Sequence, residues 1–146
     1  MTTSIWQKEI SLELLNGMSK DTMGECIGIV FTHIGPDSIE ASMPVDSRTK
    51  QPLGLLHGGA SAALIETLGS VAATFSVSKN EYCVGVEINA NHVRSAREGH
   101  VVGTARSIHR GSRIQVWQVE IKTPDEKLIS TGRITLAVLS KKASNR

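Results

Sequence analysis

The chain has 146 residues, of which 40% are hydrophobic, and a formal net charge of +2. That length is enough to bury most of its apolar surface in a single domain, read here as residues 1–146, without the help of disulfides or a structural metal. Two cysteines, Cys26 and Cys83, lack CxxC or other metal-type spacing, so they read as a reduced pair rather than a disulfide, and no structural zinc site is expected.

The N-terminus, MTTSIWQKEISLELL, has neither a basic start followed by an apolar block nor a small-residue cleavage site, so export is not expected and the cytoplasm is. Leu12, Leu15 and Met18 recur at helical spacing behind Ser11, an N-cap type, which predicts a short amphipathic helix. Thr22 and Glu25 have the spacing of a capping box, which predicts another helical turn that Gly28 limits. Strand patterns at 29–33 and 39–45 flank the turn Gly35-Pro36-Asp37 and predict a hairpin. Ile39, Ala41 and Met43 share one face of it, with Glu40 and Ser42 on the other.

A polar loop, SRTKQPLGLL, precedes His57-Gly58-Gly59, which opens a helix expected to run to about Ser76, a rod of roughly 28 Å. The segment from Gly58 to Val77 is nearly long enough to span a bilayer. It holds Glu66 and several Ser, Thr and Gly residues, so a buried helix of a protein without a membrane span explains it better. Four strands follow at 82–92, 100–109, 113–123 and 128–139, the last three as an antiparallel meander. In the strand at 113–123 neither alternating face is wholly polar, so both faces are expected to be partly covered. With only five aromatic residues, the core must be made of Val, Ile, Leu and Ala, which suits strands packed closely round a helix of small residues.

Between Lys50 and Lys79 the chain runs for 28 residues with one formally charged side chain, Glu66, in the middle of the apolar helix. Burying an unpaired carboxylate there costs several kcal/mol or holds it protonated. It is either a partner for a basic residue from a strand or a catalytic group, and catalysis is favoured because desolvated carboxylates gather at active sites. Ser70 lies one turn on along the same face, and Gln51 offers a loop amide that can orient substrate or water. His57-Gly58-Gly59 sits where a helix start presents free N–H groups and the positive dipole end, able to hold a carbonyl oxygen that becomes negative in acyl transfer. Taken alone, the glycine pair reads first as close packing, with His57 a satisfied helix-start residue.

From His92 to Arg113 five arginines face Glu98 alone, a local charge of +4. Nucleic acid is the weakest of three readings, because the arginines are scattered and only Tyr82 and Trp117 are near enough to stack bases. Arg94 and Arg113 stand at strand-turn junctions suited to gripping phosphates, while Arg97 and Arg106 read by default as solvated strand edges.

The run LLHGGASAALIE, followed by EINANHVRSA and HRGSR, closely resembles the hotdog-fold acyl-CoA thioesterases of the phenylacetate-degradation and 4-hydroxybenzoyl-CoA type, over about residues 29–139. The further runs PVDSRTKQP and INANHVRSAREG resemble the branch that serves menaquinone synthesis. The resemblance implies an α+β hotdog fold, an antiparallel sheet wrapped around one long central helix, with subunits joined edge to edge into dimers and dimers paired into a tetramer. It implies that Glu66 is nucleophile or general base, that the Gly58 N–H polarises the thioester carbonyl, and that His57, Gln51 and Ser70 position substrate or water. Gly85, His92, Val93, Arg94, Ser95, His109, Arg110, Gly111, Ser112 and Arg113 would hold CoA, which is substrate, so no separate cofactor or metal is implied. Another branch places an Asp near the helix start, and the absence of any acid between Lys50 and Glu66 excludes that arrangement. The competing readings are an acyl-thioester hydratase or dehydratase and a non-catalytic acyl-CoA-binding protein. No nucleic-acid or membrane partner is expected.

Overall fold

The computed structural model describes residues 3–142. The elements in chain order are α1 (Leu12–Met18), α2 (Met23–Cys26), β1 (Val30–Ile34), β2 (Ser38–Pro44), α3 (Gly58–Phe75), β3 (Glu81–His92), β4 (His100–Arg110), β5 (Ile114–Lys122) and β6 (Leu128–Ser140). The six strands form one antiparallel sheet in the order β1-β2-β4-β5-β6-β3, so β1 and β3 are its edges. The sheet wraps around α3, the arrangement the resemblance implies.

The core follows from two periodicities. On α3, Leu64, Ile65, Leu68, Ala72, Ala73 and Phe75 face inward, and the alternating Ile39, Ala41 and Met43 of β2 meet them from the sheet. Small helix residues let the sheet approach closely, so Trp117 of β5 is fully buried in a core that is mainly aliphatic apart from Phe31 and Phe75. Ser11 caps α1, its Oγ accepting the Leu14 N–H at 3.1 Å.

Two expectations are corrected, and one set of contacts was not foreseen. Thr22 stands at the N-cap of α2 but its side chain makes no cap bond. Its hydroxyl donates to Ser19 O, while Glu25 reaches back to the Asp21 N–H, so the capping box does not form. On β5 one face is fully buried, including Gln115, whereas Ile114, Gln118 and Glu120 on the other are exposed, because α3 covers only one side of the sheet. Residues 5–8, which gave no sequence signal, strap the end of α3. Trp6 stacks on Trp117 with centroids 6.4 Å apart, the Gln7 N–H donates to Phe75 O, and the Lys8 ammonium donates to Thr74 O and Glu81 O.

Candidate active site

At the start of α3, His57 is the N-cap. Its Nδ1 accepts the Gly59 N–H at 2.8 Å, and its carbonyl oxygen accepts the N–H groups of Ala60 and Ser61. The ring is thus turned back onto its own helix. The Gly58 N–H has no acceptor among the described residues, which leaves one first-turn amide, at the positive end of an 18-residue helix, free for a ligand. The ring of His92, the last residue of β3, lies against Gly58: a Cβ at position 58 would fall 2.7 Å from His92 Nε2. Only glycine leaves room for that approach.

Gly58 opens onto a cavity of about 340 Å³ that also takes in Gln51, His92, Val93, Arg94 and Ser95. Local hydrogen bonds bring these pieces together. The Leu56 N–H donates to Ala96 O, and the N–H groups of Val93 and Arg94 both reach Ile129 O, so the loop after β3 lies alongside the loop before α3. Gln51 starts a tight turn in which its Oε1 accepts the Leu53 N–H, which leaves its amide NH₂ without an acceptor among the described residues at the cavity wall. The sequence reading missed Ser61, Leu55, Leu56 and Ile129 in this wall. Ser61 is the residue with a signal, since it follows Gly58 by three positions and so shares its helix face.

Glu66 stands elsewhere. It is half-buried rather than buried, and its carboxylate rests over Gly85 of β3, where a Cβ would lie 2.5 Å from Oε1. It forms no ion pair or hydrogen bond among the described residues. The expected burial fails because β3 is the edge of the sheet: beyond it no strand among the described residues covers the stripe of α3 that carries Glu66, Ser70 and Thr74, all half-buried. Ser70 is one turn from Glu66 but makes no bond to it. On one helix Glu66 and Gly58 are about 12 Å apart along the axis, too far to touch one carbonyl group.

His109 and Arg110 end β4, and the turn Gly111–Arg113 joins them to β5, closed by the Gly111 N–H to Ile114 O at 2.9 Å. Arg110 and Arg113, like Arg94, form no ion pair among the described residues, whereas Arg106 pairs with Asp37 at 2.9 Å. Register separates this turn from Arg94. Ile114 is level with Ala137 and, across β6, with Val84, while His92 is level with Ser130 and Ile121. The basic turn and Arg94 therefore sit at opposite ends of β3, roughly 33 Å apart within one chain. A groove of about 600 Å³ between α2, β2 and the Arg48 loop contains none of the expected site residues.

Comparison with known proteins places these features in a family. Residues 53–130 match the thioesterase superfamily. The chain is 54% identical over 135 residues to the 1,4-dihydroxy-2-naphthoyl-CoA hydrolase of Escherichia coli K12, covering 92% of this chain and 99% of that relative. It is 46% identical to the proofreading thioesterase EntH of Cronobacter sakazakii, covering 92% and 98%. The crystal structure of a thioesterase from Haemophilus influenzae superimposes with a TM-score of 0.94 at 43% identity, over 97% of this chain and 99% of that one. With its long helix inside an antiparallel sheet and its open helix-start amide, the chain belongs to the thioesterase superfamily and is a hotdog-fold thioester hydrolase.

Proposed function

We propose that this protein hydrolyses acyl-CoA thioesters to the free acid and CoA at a site shared by two chains. The observation that carries the reading is the Gly58 N–H, an unpaired amide at the positive end of α3 that opens into the cavity beside Gln51 and Arg94. A donor aimed at the oxygen that becomes negative in acyl transfer lowers the barrier by about 3 kcal/mol. Glu66 supplies the second half, either adding to the carbonyl carbon itself, with water then opening the anhydride, or taking a proton from water as the water adds. In both routes a C–O bond forms, the C–S bond breaks, and the thiolate leaves as CoA.

The two-chain arrangement follows from the distances. Gly58 and Glu66 of one chain cannot reach one thioester, and the basic turn cannot reach the nucleotide end of a CoA held near Arg94 of the same chain. Pairing of two β3 edges antiparallel, about a two-fold axis near Asn89, answers both. It brings Gly85, and with it Glu66, level with His92 and Gly58 of the second chain, and the segment His109–Arg113 level with that chain's Arg94. His57, Gln51 and Ser70 then position substrate or water, with Ser95, Ser112 and their neighbours along the CoA arm.

The name of the Escherichia coli relative, a naphthoyl-CoA hydrolase, supports an aromatic acyl group, and the setting in menaquinone synthesis is the one the sequence resemblance implies. Hydration of an acyl thioester needs a histidine converging with the carboxylate to exchange protons, whereas His57 Nδ1 is held by the Gly59 N–H, which leaves the ring an Nε2–H donor suited to positioning substrate. The test is a thiol-release screen over aliphatic and aromatic acyl-CoAs with Glu66→Gln as control. Release that is fastest with aromatic substrates and lost in the variant is expected, and binding of CoA with no release from any acyl-CoA would overturn the proposal.

A further inference from the structure

Ser130 lies at the buried start of β6, with 0% of its surface exposed, and its Oγ is 3.1 Å from Asn91 O and 3.1 Å from His92 Nδ1. A carbonyl oxygen only accepts, so the single hydroxyl proton of Ser130 goes to Asn91. The serine oxygen can then only accept from His92, which requires the proton of the neutral imidazole on Nδ1. Nε2 is left bare, and it is the ring atom that packs nearest Gly58 at the cavity wall. The other side chains there mostly donate: Arg94 has no acceptor, and Gln51 has already committed its Oε1 to Leu53. No carboxylate among the described residues lines the cavity.

We propose that Ser130 is a positioning residue that locks His92 in the Nδ1–H tautomer, so that Nε2 stands beside the Gly58 N–H as an acceptor for an amide N–H of the substrate's thiol-bearing arm. This rests on the reading of the cavity as a CoA-thioester site, since that arm is built from secondary amides, each with an N–H that needs an acceptor. The donor of Gly58 and the acceptor of His92 then meet a carbonyl and an N–H side by side. Free imidazole favours the proton on Nε2, so the tautomer is a property that Ser130 imposes.

The experiment has two arms that need no turnover. Nitrogen-15 spectra of histidine-labelled protein, with the His92 signals assigned by their loss in His92→Gln, should show Nδ1 protonated and Nε2 bare in the wild type. Ser130→Ala should move the proton to Nε2, and Ser130→Thr, which keeps the hydroxyl, should leave it on Nδ1. In calorimetry with CoA as the probe, Ser130→Ala should bind about tenfold more weakly, the worth of one hydrogen bond to a buried group. A wild-type His92 with its proton on Nε2, or a tautomer unchanged in Ser130→Ala, overturns the lock, and unchanged CoA affinity with a flipped tautomer overturns the amide contact. Failure of the function reading would show separately, as absence of thiol release in a protein whose His92 is nonetheless held on Nδ1.

Discussion

Glu66 and Gly58 each owe their availability to the space a neighbour leaves: Gly85 beneath the carboxylate, and no side chain at position 58 beneath His92. Glu66→Gln keeps the shape and removes the carboxylate proposed as nucleophile or base, so the fold should survive while turnover falls by orders of magnitude. Thiol-release kinetics beside a thermal melt would check it. Gly58→Ala drives a methyl to 2.7 Å from His92 Nε2 and must displace that ring, so kcat/KM should fall about a hundredfold with the secondary structure unchanged. The cysteines also differ in a way any such assay will meet. Burial pushes the Cys83 thiol up to about 11, while Cys26 is exposed. A thiol reagent at pH 8 should therefore label about one cysteine per native chain, Cys26, and both after denaturation. Rapid labelling of both in the native state would contradict the buried placement of Cys83.

At the scale of elements, the inward face of β5 carries a polar residue that apolar patterning would not place there. Gln115 Oε1 accepts from Ser76 Oγ and from Trp117 Nε1, tying β5 to the end of α3. Gln115→Leu is more apolar and of similar size, yet it strands the buried Trp117 Nε1–H, while Ser76 Oγ keeps Ala73 O as an acceptor at 2.9 Å, so it should destabilise the protein by about 1–3 kcal/mol. A urea midpoint at or above the wild type would refute this. The same element shows why sequence reading goes only part of the way. Alternation in β2 and the small-residue run of α3 carry their own structure, because one period decides which residues share a face. On β5 the pattern mixes polar and apolar on both faces, and which of them meets α3 is decided by the sheet. The expectation of a buried Glu66 failed for a related reason: periodicity puts it on a face but does not tell where the sheet ends. His57, Gly58, Gln51 and Glu66 were legible as motif residues. Ser130 was not, since its importance comes from one bond to a histidine 38 residues away.

For the whole molecule, the helix start and the carboxylate lie against different stretches of the edge strand β3, at His92 and at Gly85. The most direct measurement is complementation. Glu66→Gln and Gly58→Ala chains, each nearly inactive alone, are co-expressed, and thiol release from an aromatic acyl-CoA is compared with that of each parent. Random pairing makes about half the dimers mixed, and each mixed dimer retains one site with Glu66 from one chain and Gly58 from the other, so about a quarter of wild-type turnover should return. Activity no higher than that of the better parent, or full activity in an isolated wild-type monomer, would contradict a site built from two chains.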